Sequence, residues 1–367
     1  MRKFQLSILW LLFAACISAQ TPAYRFLVGT YTNTGKSKGI YSLSFNPVQG
    51  QIAQTSVAEG ISNPSYLAIS NDKKFVYSVS ESEDGSSVSA FNFDESTGKL
   101  RLINQQLTES KGPCYINTIG THVLTANYGG GSISVFSHNT NGFLNPVLQV
   151  EQHAGKSIDP ERQNEPHVHQ VLVAPDGKYI LANDLGTDYI TIYQYNPASI
   201  NEVIRPVDSI RLKAGSGPRH GVFSKNGKRL YVVQEMDGTV TVLAYANGHL
   251  KKMQETTLDR KPGTVNRAAD IHLSPDGRFL YATNRGSANN ISCFAVDKVG
   301  KLSFVQQIST QGDGPRNFAI TPDGKYILVG HQFTNNIVVF KRDAKTGKLS
   351  PAGINYEIGA PVCIQFY

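Results

Sequence analysis

Short runs of alternating apolar and polar residues fill the chain, separated by Gly, Asn, Asp and Pro, and no long stretch shows the apolar period of a surface helix. Such a pattern predicts strands and turns throughout. The segment Gly217–Glu235, GPRHGVFSKNGKRLYVVQE, shows the unit. A polar start (Pro218, Arg219, His220) leads into a strand over Gly221–Ser224. Asn226-Gly227 supplies a favoured hairpin turn, and a second strand runs from Arg229 to Val233 before Gln234 and Glu235. In an antiparallel hairpin the start of the first strand and the end of the second lie at the same end. Arg219 and Glu235 are therefore predicted neighbours in space.

The unit recurs. Second strands end equivalently at Tyr31, Glu81, Tyr128, Asp184, Glu235, Arg285 and Gln332, at spacings of 50, 47, 56, 51, 50 and 47 residues. Turns such as Asn71-Asp72, Pro175-Asp176-Gly177 and Pro275-Asp276-Gly277 precede most of them, and turn geometry alone accounts for these Asp and Gly residues. A further strand and a hairpin-like pair follow each copy, as in Ser87–Phe93 with Lys99-Leu100. About four strands in about fifty residues is the size of one propeller blade. The predicted fold is all-β, a seven-bladed β-propeller with four-stranded blades forming a single domain over 20–367. Tyr24–Tyr31 and Pro361–Tyr367 are expected to share one blade and close the ring. One segment, 139–166, breaks the rhythm and is polar and turn-rich. Insertions on a rigid scaffold often carry function, although by composition alone this one reads as an ordinary surface excursion.

Composition narrows the classes. The net charge of +7 contains no long basic run, and Phe and Tyr are scattered along strand patterns, so no nucleic-acid partner is expected. A small anionic ligand is compatible with that charge. Residues 1–19 read as a secretion signal: Arg2 and Lys3, the apolar run Leu6–Ala15, then Ser18-Ala19 before Gln20. That run is too short for a permanent membrane span, so an exported protein, periplasmic or extracellular, is expected, without a membrane span and as a monomer. Cys16 offers a lipid anchor as the alternative, but Phe13-Ala14-Ala15 lacks the Leu usual three places before such a cysteine. Cys114, Cys293 and Cys363 lie far apart in strand contexts and read as buried thiols.

Candidate chemistry emerges when the units are superposed on their turns. Seven residues ahead of the turn stand Ser65, Cys114, His169, Arg219, Ala269 and Arg316, and these positions share one end of the disc with the second-strand ends. Purely structural positions of a repeat should resemble one another, and these differ in charge and type, as a site on a scaffold does. Singly, Glu235 is an ordinary surface carboxylate, Arg219 and Arg285 are salt-bridge partners, and His167 and His169 are structural. Together, in one mouth, His169, Arg219, Glu235 and Arg285 make a site. His167 and His169 alternate onto one strand face, yet no Cys, Asp or Glu at ligand spacing joins them, so neither a metal nor a cofactor is expected.

Several stretches carry a family likeness: Val28-Gly29-Thr30-Tyr31-Thr32, the turn Asn127–Ser132, the segment His153–His169 with Arg162-Gln163 and Pro166-His167-Val168-His169, Gly217-Pro218-Arg219-His220, Gln234-Glu235 and Thr283-Asn284-Arg285-Gly286. Through them the chain resembles the seven-bladed lactonase family, which groups bacterial propeller-type 6-phosphogluconolactonases with fungal carboxy-cis,cis-muconate cyclases. The resemblance implies His169, Arg219, Glu235 and Arg285 as catalytic residues and an insertion folded over the mouth. His153, Arg162 and His167 on that insertion, with His220 and Arg316, form the expected substrate-binding set. The expected activity is hydrolysis of a sugar-acid lactone, anionic or polyhydroxy, of the 6-phosphogluconolactonase type. In this scheme Glu235 serves as base or water-orienter, Arg219 and Arg285 hold the oxyanion, and His169 returns the proton. A muconate-type cycloisomerase and a non-catalytic binding propeller are the alternatives. Export suits an unphosphorylated lactone better than a phosphorylated one.

Overall fold

The computed structural model describes residues 23–259, 261 and 263–367, so the expected leader and Cys16 lie outside the described residues. Seven four-stranded antiparallel sheets make seven blades. Blade 1 takes Pro361–Phe366 as its innermost strand, followed outward by Tyr24–Thr30, Gly39–Asn46 and Gln51–Glu59. Blades 2 to 7 occupy 67–107, 113–152, 168–211, 218–257, 268–309 and 315–357 in chain order. The two ends of the chain meet as predicted, Phe26 opposite Phe366 and Val28 opposite Ile364.

The alternation of the sequence decides what each strand faces. Inner strands are buried on both faces because neighbouring blades pack against them. Val76, Val88 and Phe91 of blade 2, for example, join Leu27 and Ile40 of blade 1 and Val123 and Phe136 of blade 3 in one apolar cluster. Burying a side chain such as Phe136 completely contributes about 2–3 kcal/mol. Outermost strands such as Gln51–Glu59 and His249–Thr257 are polar and largely exposed, which discourages pairing with another sheet. Tyrosines strap blade to blade: Tyr231 donates to the Gly300 carbonyl at 3.0 Å and Tyr281 to that of Gly347 at 2.6 Å. Gly347 sits at φ +74°, where a Cβ would fall 2.2 Å from the Phe279 ring, so this turn admits no side chain. The turn acids behave as expected. Asp72, Asp276 and Asp323 each accept from a Ser or Thr hydroxyl two residues earlier.

One irregularity is repeated. In six blades the register between the innermost strand and its neighbour shifts near the start of the innermost strand. In blades 3, 4, 5 and 7 the unpaired extra residue is Cys114, His169, Arg219 or Arg316. A β-bulge re-aims the side chain it carries, so the position that varied most in the repeat is the one the backbone frees from the ladder. The insertion is shorter than its sequence suggested. Leu144–Gln152 is the outermost strand of blade 3, and the irregular part begins at His153.

Candidate active site

Glu235 follows the second strand of blade 5, and three guanidinium groups converge on it. Arg219, on the bulge of the same blade, donates from Nε to Oε2 at 2.8 Å. Arg285, which stands in blade 6 where Glu235 stands in blade 5, donates from Nη2 to the same oxygen at 2.9 Å. Arg162, delivered by the insertion, donates from Nη2 to Oε1 at 2.8 Å. The hairpin argument thus brings Arg219 and Glu235 into contact across their sixteen positions. Arg219 and Arg285 are anchored at a second point, on the carbonyls of Ala269 and Arg267. Arg219, Glu235 and Arg285 are all buried, whereas the Arg162 side chain stays about one-third exposed (34%).

Burial alone would raise the Glu235 pKa. Arg285, Arg219 and Arg162 outweigh it and hold the carboxyl well below the usual carboxylate range. Burial pulls Arg285 down, with Glu235 opposing, and pulls Arg219 down with the repulsion of Arg316. Both remain charged, since a guanidinium keeps its proton in neutral water. The cluster of three cations and one anion therefore carries a net charge of about +2.

Arg162 Nη2 also donates to the Tyr128 hydroxyl at 3.2 Å, and Tyr128 forms a wall of an open cavity of about 540 Å³. The far side of that cavity belongs to blades 1, 2 and 7. There Glu81 accepts from Tyr31 at 2.9 Å and from Ser65 at 2.5 Å, and Arg316 lies 3.9 Å from its other oxygen and over the Tyr31 ring. Arg316 thus lies behind the cavity lining and pairs with Glu81 rather than with Glu235.

The histidines separate from this cluster. His169 is buried, in edge contact with the rings of Tyr128 and His220. Burial, Arg219, His220 and Arg316 push its pKa well below the ordinary value. The ring is neutral at pH 7, which argues against the expected role as a cationic proton donor. His167 stacks on Tyr128 and bonds the Tyr128 carbonyl at 2.9 Å. His153 is drawn away from the mouth, held between Asp184 at 2.8 Å and the Tyr193 hydroxyl at 2.6 Å, so it anchors the insertion. His220 lies one layer deeper, with Nδ1 on the buried Asp270 at 2.8 Å, and burial takes its pKa down to about 4. Among the described residues no group of three or more His, Cys, Asp or Glu could hold a metal ion.

The profile of a protein family described as a seven-bladed β-propeller lactonase matches residues 25–366. The chain belongs to this lactonase family. It is 37% identical to a 6-phosphogluconolactonase of Formosa agariphila, over 88% of this chain and 93% of that protein. A solved protein from Bacteroides fragilis shares 44% identity at a TM-score of 0.91, covering 95% of this chain and 99% of that one. The structure of a periplasmic gluconolactonase from Pseudomonas aeruginosa shares 36% at a TM-score of 0.90, over 94% and 99%.

In this lactonase-family chain, sequence reasoning passed over the carboxylates that secure the insertion. The register places Leu185, not the expected Asp184, where Glu235 stands in blade 5; Asp184 corresponds to Gln234, and its oxygens hold His153 and the backbone N–H groups of His167, Gly186 and Thr187. Asp188 is fully buried at φ +61°. It accepts from Ser157, from Gln163 at 2.9 Å and from the N–H groups of Gly215 and Gly217 at 2.7 Å. One carboxylate therefore ties the strap that carries Arg162 to the loop that leads into Arg219. The equivalence of positions 81, 128 and 235 was visible in the repeat, but not that of blade 4, where Leu185 stands one residue beyond the expected Asp184. Which of the acids faces solvent was not visible either.

Proposed function

We propose that this protein hydrolyses the internal ester of a sugar-acid lactone at the mouth of the propeller. The observation that carries the reading is the convergence of Arg162, Arg219 and Arg285 on Glu235 beside an open cavity. Attack of water on a lactone carbonyl places negative charge on the carbonyl oxygen, and fixed cationic donors lower that barrier. Nη2 of Arg219 and Nη1 of Arg285 take part in none of the bonds to Glu235 and the backbone, and these are the donors we assign to the oxyanion. With its basicity so reduced, Glu235 serves less as a base than as the counter-ion that fixes the arginines and orients water. His169 is assigned a neutral hydrogen-bonding role beneath Tyr128, and the leaving alkoxide takes its proton from solvent in the mouth. The named activities of the Formosa and Pseudomonas relatives support the reaction type. The periplasmic placing of the latter supports the export that residues 1–19 suggest, and no helix among the described residues is long and apolar enough to cross a membrane.

The test is proton release on glucono-δ-lactone and its 6-phospho form, less spontaneous hydrolysis, with Arg285→Ala as control. Loss of a transition-state donor should lower kcat about a hundredfold or more. A folded Arg285→Ala protein with unchanged turnover removes that residue from the catalytic set. No acceleration by the wild type on either lactone rejects the reading.

A further inference from the structure

We infer that the mouth receives a lactone whose far end is an uncharged polyol, and that Glu81 and Glu83 disfavour a terminal phosphate there. This rests on the proposal that the lactone carbonyl sits at the arginines. One end of the substrate on that cluster sends its other end past Tyr128 into the 540 Å³ cavity. Glu81, Glu83 and Gln332 line this cavity, and no Lys, Arg or His among the described residues does.

Its charged groups are both acids, and Gln332 adds a further acceptor. The Glu81 carboxylate is partly exposed and is oriented by Tyr31 and Ser65. Arg316 lies 3.9 Å from it and balances at most one of the two acids. Glu83 is exposed at the rim, with no ion-pair partner among the described residues. Oε1 of Gln332 is buried without a hydrogen-bond partner, an acceptor that wants a donor. Hydroxyl groups supply such donors, whereas a phosphate dianion brings only acceptors and about two negative charges. Two like charges about 4 Å from a carboxylate in a wet site correspond to roughly tenfold discrimination or more. The charge division of the mouth, basic at blades 5 and 6 and acidic at blades 1 and 2, therefore selects an unphosphorylated sugar-acid lactone.

The experiment compares kcat/KM for glucono-δ-lactone and its 6-phospho form in wild type, Glu81→Gln and Glu83→Lys. Calorimetric binding of gluconate and 6-phosphogluconate runs alongside. The wild type should favour the unphosphorylated lactone about tenfold or more, and that preference should shrink in ~0.5 M salt. Glu83→Lys is exposed and leaves the fold intact. It should move the ratio at least about fivefold toward the phosphorylated form. Wild type preferring the phosphorylated lactone, or a ratio unmoved in both variants, overturns the inference and leaves lactone hydrolysis standing. If neither lactone turns over, hydrolysis falls and the binding arm decides. Tighter gluconate binding that Glu83→Lys shifts supports the acidic subsite, and equal or tighter 6-phosphogluconate binding removes it.

Discussion

Replacing Glu235 by Gln tests whether one carboxylate holds the mouth together. The substitution keeps the shape, removes one negative charge and takes the cluster from about +2 to about +3. Arg162 is about one-third exposed (34%), so water can replace its lost bond. Arg219 and Arg285 are buried and have no such recourse. Two buried charge-assisted hydrogen bonds at about 1.5–3 kcal/mol each give roughly 3–6 kcal/mol, and removing one partner of a buried ion pair costs about 3–5 kcal/mol. The carbonyl that Gln retains satisfies one guanidinium, so the lower end, about 3 kcal/mol, is the expectation. For a chain of this size that is a fall in Tm of roughly 4 °C. Calorimetry is the assay, since the only tryptophan, Trp10, precedes the described residues. The pH dependence adds a signature. The folded-state pKa is depressed, so the contribution is present above the unfolded carboxylate value near ~4.3 and is lost as pH falls below it. The gap between wild type and Glu235→Gln should be constant from about pH 8 to 5 and narrow below about pH 4. A Tm within about 1 °C of wild type at pH 7 would refute the claim that these arginines depend on Glu235.

The remaining predictions concern burial and the strap. His331 is fully buried, and burial takes its pKa down to about 4. A buried neutral histidine stabilises fully above its unfolded pKa near ~6.5 and loses that contribution as pH falls toward the folded value, on the order of 3 kcal/mol in all. His331→Asn, the residue found at the equivalent positions 127 and 284, should flatten denaturant-measured stability between about pH 6.5 and 4; an unchanged slope rejects the assignment. Asp188→Ala should loosen the insertion and raise tryptic cleavage at Lys156 and Arg162 about tenfold or more, read by mass spectrometry. Protection equal to wild type would mean that other contacts hold the strap. Arg162→Ala removes the most exposed member of the cluster and should raise KM more than it lowers kcat; the reverse split would place Arg162 among the transition-state donors.

The fold was legible because each blade announces itself twice, by its turn and by the alternation that buries both faces of the inner strands. The closing pair was legible for the same reason, since Pro361–Phe366 has strand character but no local partner, and Tyr24–Thr30 has one only on the side of Gly39–Asn46. The contact of Arg219 with Glu235 followed from hairpin geometry. The contact of Arg162 did not, because it depends on Asp188 and Asp184 pulling a structureless segment across the mouth, and nothing local marks those acids. His153 shows the converse. Its segment pointed to the mouth, but a buried Asp184 on one ring nitrogen and Tyr193 on the other fix it outside. Charge state was the least legible property. The donor role expected of His169 needs an imidazolium, and burial together with Arg219 disfavours that form.

The pairing of Tyr24–Thr30 with Pro361–Phe366 sets an order of events for a chain delivered from its N-terminus. A strand made at the outset waits for a neighbour made at the end. At about 5–20 residues per second the delay is roughly 20–70 s. Throughout it the apolar edge of Phe26, Leu27 and Val28 has no inner neighbour and is open to pairing with other chains. Six blades can form before the last strand arrives, but blade 1 cannot be completed, so the molecule passes through delivery as an open arc. Losing only its last few residues would leave it in that state.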